Sequence, residues 1–269
     1  MLAVKGRRNV LVCNFLIQRA TGGREAHRRT IPADAKIWTV DLDQPHSVLK
    51  RFSDILDEGD RARLRRISGG QQRSRRLVAR AALRCILAAE SGQSADAIRL
   101  GYLQWGKPIV LGAHGLEFSV SSAGQSCVIA TVRGVDVGID IEQVKLLPGM
   151  DEFAAEILSP RELAAVRHAD DRLKQLYRLW TRKEAYAKAL GIGLAVAPRT
   201  LEVGLDSTPD RSAWSLHDLD PAPNSVGALA VRAPRARISI HPFEFPRLEF
   251  PSLESAGGPA MRPASAYLS

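Results

Sequence analysis

Arg178 to Leu194 reads RLWTRKEAYAKALGIGL, and the rest of the chain is interpreted outward from it. Trp180, Glu184 and Lys188 stand at i, i+4 and i+8, which puts them on one face of a helix. Gly191 is placed to end that helix in the left-handed conformation. By itself the stretch also reads as a surface helix with a Glu184–Lys188 ion pair, worth only about 0.3 to 0.5 kcal/mol. A second stretch gives it a partner: Val137-Gly138-Ile139-Asp140-Ile141-Glu142. In a strand, Ile139 and Ile141 face one side while Asp140 and Glu142 face the other, their Cα atoms about 7 Å apart.

Asp140, Glu142 and Glu184 thus form a candidate trio of carboxylates. Hard oxygen donors with no accompanying His or Cys suit Mg²⁺ or Mn²⁺ better than zinc. Magnesium keeps waters and takes further ligands from substrate phosphates, so an incomplete protein shell suits a phosphate-using enzyme. Lys183 and Lys188 would add charge-assisted donors for those phosphates. Three unrelated surface carboxylates are the competing reading of the same spacing.

Composition narrows the class. The 269 residues suffice for one large or two small domains. No apolar run reaches the roughly 18 residues of a membrane span, so no membrane role is expected. Cys13, Cys85 and Cys127 are scattered without ligand spacing, which points to a reducing cytoplasm. The net charge of +9 is concentrated: residues 1–30 hold seven Arg or Lys against Glu25, and Arg61 to Arg84 contains nine arginines and no acid. Such a block wants an anion, whether a phosphorylated ligand, a nucleic acid or an acidic protein. It also reads as a solvated helix face.

In chain order, residues 1–34 read as a basic, disordered extension, and folded sequence begins near Ala35 with an alternating strand over Lys36 to Leu42. Helices follow over Ser47 to Leu56, Asp60 to Ile67 and from about Gly70 to Gly92. Arg73, Arg76, Arg80 and Arg84 form a basic stripe on the last of these. Short strands and turns are expected over Ile98 to Tyr102, Gly106 to Val110, Leu116 to Gly124, Cys127 to Arg133 and Val137 to Glu142. Met150 to Ile157 reads as a helix, and Ser159-Pro160-Arg161-Glu162 as a capping box opening the next. Beyond Gly193 strands are expected over Thr200 to Leu205, Trp214 to Leu219, Ser225 to Arg232 and Arg237 to His241. Residues 246–269, rich in Pro, Ala, Ser and Gly, read as a disordered tail.

Gly138-Ile139-Asp140-Ile141-Glu142, followed by Trp180-Thr181-Arg182-Lys183-Glu184-Ala185-Tyr186-Ala187-Lys188, resembles the paired signature of the 4′-phosphopantetheinyl transferases, in particular the surfactin-synthetase-activating (Sfp) type. Gly106-Lys107-Pro108, the Phe118 to Gly124 strand, Gly191-Ile192-Gly193-Leu194 and the Val226 to Val231 strand agree, so the likeness spans roughly residues 35 to 235. The resemblance implies an α+β pseudo-dimer of two similar halves, 35–136 and 137–245, dividing near Asp136, with the active site in the cleft between them. It implies transfer of phosphopantetheine from coenzyme A to a serine of an apo acyl or peptidyl carrier protein, releasing adenosine 3′,5′-bisphosphate. Asp140, Glu142 and Glu184 would bind Mg²⁺. Glu184, Glu162 and Lys188 would serve catalysis, Glu162 as a candidate base. Arg73, Arg76, Arg80, Lys107, Ser121, Ser122, Lys183 and Lys188 would hold coenzyme A. A monomer acting on carrier proteins, not on nucleic acid, is expected.

One departure stands out. Ser121-Ser122 occupies positions where the family strand often carries Ser-His, the His contacting the 3′-phosphate of coenzyme A. Serine donates one hydrogen bond but brings no positive charge. Arg73, Arg76, Arg80 or Lys107 would have to compensate. Two alternatives accompany the transferase reading: a non-catalytic binder of coenzyme A or carrier protein, and a nucleic-acid binder that leaves the carboxylates unexplained.

Overall fold

The computed structural model describes residues 33–204 and 213–245. The expected tail, and all of the basic extension except Ala33 and Asp34, lie outside the described residues. Those two residues already belong to strand β1 (Ala33–Asp41). Helices α1 (His46–Asp54), α2 (Glu58–Arg65) and α3 (Gly70–Ser91) follow, then strands β2 (Leu100–Tyr102), β3 (Pro108–Val110), β4 (Leu116–Ala123), β5 (Ser126–Arg133) and β6 (Val137–Gln143). Next come α4 (Met150–Ile157), α5 (Pro160–Arg167) and α6 (Arg172–Leu190). Two 3₁₀ turns lead into β7 (Ser215–Leu219), β8 (Ser225–Val231) and β9 (Ala236–Pro242). Among the described residues no helix is long and apolar enough to cross a membrane.

The fold is mixed α+β, built on two main sheets. One has strand order β4-β5-β1-β9 and the other β6-β8-β7, while β2 and β3 make a separate hairpin. Alternation decides the packing. Val40, Phe118, Cys127 and Ile129 of the first sheet pack with Val78, Ala82, Ile86 and Leu87 of α3. Ile37, Val128, Ala130 and Val132 point the other way, against Val137, Ile139, Ile141, Leu229 and Val231 of the second sheet. The far side of the second sheet, Ala228 and Ala230, packs on Ala185, Ala187 and Ala189 of α6. The order is therefore helix, sheet, sheet, helix, and β5 reads as a continuous apolar run because both of its faces are covered.

Gly138 shows why the strand carrying Asp140 tolerates no side chain there. A Cβ at Gly138 would fall 1.9 Å from the carbonyl oxygen of Ala185 and 2.5 Å from the nitrogen of Ala189. Helix α6 thus lies directly on the backbone of β6, bringing residues 184 and 188 to the strand that holds 140 and 142.

Three expectations need correcting. The described part of the expected Thr200 to Leu205 strand is not one: Pro198–Thr200 is a 3₁₀ turn, followed to residue 204 by irregular chain. Its backbone groups go to side chains instead, since Lys183 Nζ takes the carbonyls of Pro198 and Leu201, and Val203 N donates to Glu162. The arginine stripe on α3 is not wholly a solvated face, because Arg84 is completely buried. Finally, β9 pairs in parallel with β1, Ala33 opposite Ala236 and Ile37 opposite Ile240. The last described strand thus returns to the first sheet, and sheet membership does not follow a single cut near Asp136.

Candidate active site

Asp140 sits in the middle of β6 and is only 4% exposed. Its Oδ1 accepts from Lys188 Nζ at 2.6 Å and from Ser121 Oγ at 2.8 Å. The ammonium of Lys188 also donates to the carbonyl of Ile139 at 3.2 Å. Asp140 Oδ2 is buried with no hydrogen-bond partner. A carboxylate oxygen in that condition costs about 1–3 kcal/mol or more, and native structures keep such groups where a ligand or ion belongs.

Glu142 and Glu184 share this environment. Burial, and after it the charge of Asp140, push the carboxyls of both above the usual glutamate range, with Lys188 opposing. In Glu142 a hydrogen bond from Trp180 also opposes the rise, and the charge of Glu184 adds to it. Three carboxylates and one ammonium therefore form one electrostatic cluster where α6 crosses β6. Among the described residues no three Asp, Glu, His or Cys side chains are gathered tightly enough to hold a metal ion as they stand. The all-oxygen donor set and the orphaned Oδ2 nevertheless suit a hard divalent cation.

The raised pKa values have a consequence for stability. Between the ordinary glutamate value of about 4.3 and the raised folded values, the folded chain holds more protons than the unfolded one. Stability of the metal-free protein should therefore fall as pH climbs through that window. Thermal melts in chelator from acid to neutral pH will measure the fall, and Glu184→Gln should flatten it. An equally steep curve in the variant would show that other groups set it.

Beside the cluster lies a cavity of about 630 Å³, lined among others by Arg63, Arg76, Arg80, Ser121, Ser122 and Lys188. It adjoins a hollow of about 360 Å³ at Gln72, Arg76 and Ser122. On the Lys188 side it adjoins another of about 230 Å³, lined by Trp105, Lys107, Pro108, Gly191 and Gly193 among others. The main cavity lies within the roughly 300–1,000 Å³ expected for a small-molecule site.

The structure brings together Asp140, Glu142, Glu184, Lys188, Arg76, Arg80, Ser121 and Ser122. Others it uses elsewhere. Lys183 is 1% exposed and its ammonium meets Glu162 Oε2 at 2.7 Å, with the carbonyls of Pro198 and Leu201 completing its shell. Burial pulls its pKa down. Glu162, 3% exposed, closes the Ser159 capping box and accepts from Val203 N at 2.9 Å. With its lone pairs so committed, Glu162 is corrected from a base to an N-terminal cap and counter-ion, and Lys183 from a phosphate ligand to that counter-ion's partner. Arg73 donates to the carbonyl of Ile67 at 2.8 Å. Lys107 is buried against Glu117, Asp136 and the carbonyl of Ala189, so it borders the smaller hollow through its stem.

Asp57, Asp60 and Tyr102 went unnoticed in the sequence. Asp60, 2% exposed, pairs with Arg80 and, at 2.7 Å, with Arg84; Asp57 also pairs with Arg84. Tyr102 Oη accepts from Arg80 at 2.9 Å. The signal was present: Asp57-Glu58-Gly59-Asp60 stands immediately before the arginine block, at the N-terminus of α2, where acids belong.

Residues 136–224 match the family model described as the 4′-phosphopantetheinyl transferase superfamily. The 4′-phosphopantetheinyl transferase HetI of a Nostoc strain is 32% identical over 208 residues, covering 74% of this chain and 87% of its own. A 4′-phosphopantetheinyl transferase of Bacillus subtilis is 28% identical over 174 residues, covering 63% and 76%. A likeness of 32% identity over most of HetI's length, joined to an acidic cluster at the crossing of α6 and β6, places this chain in the 4′-phosphopantetheinyl transferase family.

Proposed function

We propose that this chain transfers 4′-phosphopantetheine from coenzyme A to a serine hydroxyl of an apo acyl or peptidyl carrier protein, in the manner of the surfactin-synthetase-activating type. The observation that carries the reading is Asp140: buried, held on one oxygen by Lys188 and Ser121, which both line the arginine-bearing cavity, and left without a hydrogen-bond partner on the other. Two similar halves, the first sheet completed by the return of β9, would form a pseudo-dimer acting as a cytoplasmic monomer.

Asp140, Glu142 and Glu184 would hold Mg²⁺, with Mn²⁺ as a substitute. Bound there, the ion would supply charge neutralisation to the coenzyme A diphosphate and its leaving oxygen. Lys188 would lend its ammonium to the same phosphates, and Arg76, Arg80, Ser121 and Ser122 would line the coenzyme A cavity. The serine proton would pass to Glu184, directly or through a water that it holds. The serine oxygen then bonds to the β-phosphorus, the bond to the bridging diphosphate oxygen breaks, and adenosine 3′,5′-bisphosphate departs. The exposed arginines of α2, Arg61, Arg63 and Arg65, offer a basic face to an acidic carrier.

Incubation with coenzyme A, Mg²⁺ and a panel of apo carrier domains tests the reading by intact mass. One phosphopantetheine added per carrier, lost with chelator, is the expected result. Failure on every carrier while coenzyme A still binds would leave a non-catalytic binder.

A further inference from the structure

We propose that Ser121, with Ser119 beside it on β4, is a positioning residue: it fixes the carboxylate of Asp140 and does not itself bind coenzyme A. The assignment rests on the transferase reading above. Among the described residues β6 is the outermost strand of its sheet, with β8 on one side and no strand on the other. The open edge of such a strand turns the N–H and C=O of alternate residues outward, and when buried they need partners. Ile139 shows where they go. Its N–H donates to Ser119 Oγ at 3.1 Å, and its carbonyl accepts from Lys188 Nζ at 3.2 Å. One residue on, Oδ1 of Asp140 accepts from Ser121 Oγ at 2.8 Å. Ser119 and Ser121 stand two apart on one face of β4, so a pair of hydroxyls from the first sheet clips the edge of the second.

The hydrogen count decides between positioning and phosphate binding. A serine hydroxyl has one hydrogen. That of Ser121 is given to Asp140, and the lone pairs left over offer nothing to an anionic phosphate, although Ser121 lines the cavity. The donation has a use of its own. Ser121 reaches Oδ1 from β4, and Lys188 reaches it from α6 at 2.6 Å. Two donors from different elements hold the carboxylate in one orientation, and in that orientation Oδ2 is buried without a partner. A cation ligated through Oδ2 would meet a carboxylate already turned to receive it, and hydrogen bonds that orient a ligand in this way strengthen metal binding. By holding the N–H of Ile139, Ser119 fixes the backbone from which Asp140 projects.

Ser121→Ala separates the two roles. Its Mn²⁺ affinity without coenzyme A, followed by electron paramagnetic resonance, should fall roughly 10- to 100-fold, and single-turnover transfer should slow by a similar factor. Its coenzyme A affinity in chelator, by titration calorimetry, should stay at the wild-type value, because no phosphate contact is lost. Ser121→Thr keeps the hydroxyl and should recover most of the Mn²⁺ affinity. Ser119→Ala leaves a buried N–H unpaired and should melt lower. Titrated well below its melting temperature, it should also bind Mn²⁺ more weakly. Unchanged Mn²⁺ affinity in either folded alanine variant removes that serine from the assignment. Weaker coenzyme A binding by Ser121→Ala in chelator makes Ser121 a ligand of coenzyme A and overturns the proposal. Both outcomes leave the transferase reading standing. A folded wild-type chain that binds neither Mn²⁺ nor coenzyme A overturns that reading, and the positioning role with it. Ser121 is half-buried at a cavity wall, so circular dichroism of Ser121→Ala should match wild type.

Discussion

Asp140→Asn should fold normally and transfer phosphopantetheine at least about 100-fold more slowly, a loss expected where a charged ligand of a catalytic cation is neutralised. An asparagine oxygen still accepts from Lys188 and Ser121, so the local hydrogen bonds survive. The charge does not. Without it the carboxyls of Glu142 and Glu184 lose the second cause of their elevation and become easier to ionise. The variant should therefore melt at or above the wild-type temperature in chelator, and gain less than wild type when Mg²⁺ is added. Parallel melting curves and single-turnover rates separate the two effects. Near-wild-type transfer by the folded variant would remove Asp140 from the chemistry.

Glu162→Ala should be the most damaging single truncation, at about 3–5 kcal/mol, because it strands the buried ammonium of Lys183. That ammonium is 1% exposed and loses the carboxylate 2.7 Å away. The capping box at Ser159 goes with it, adding about 1 kcal/mol. With the attraction of Glu162 gone, the pKa of Lys183, already lowered by burial, falls further. Between that folded value and the unfolded value of about 10.4 the unfolded chain binds more protons, so the variant should gain stability as pH rises across the window. Glu162→Leu combined with Lys183→Met should recover much of the loss. Urea unfolding at several pH values measures both, and transfer well below the melting temperature should stay near wild type. A folded Glu162 variant with normal stability and no transfer would instead make Glu162 the proton acceptor.

The elements of the site were legible because their signals are local. Period and capping placed α6, alternation placed β6, and Gly191 ends its helix with φ of 68° as its position suggested. The pairing of Glu162 with Lys183 was not legible. Both lie in motifs whose surface reading is plausible, and only the burial of the 198–203 segment against α6 turns them inward. The arginine block misled for a related reason: its counter-ions, Asp57 and Asp60, precede it by a few residues, and folding α2 back along α3 neutralises what a linear count leaves charged. The parallel return of β9 carries no sequence mark either, since a strand's partner is chosen by topology, not by its own alternation.

That return has a consequence in time. Strand β1 is made before every other described element, yet its neighbour β9 follows some two hundred residues later. Until then one edge of β1 stays unpaired, and its closing contacts span some two hundred residues. Loop closure over such a span is slow, so completion of the first sheet must wait for almost all of the described elements. Synthesis order makes the enzyme's last described strand the latch on its first.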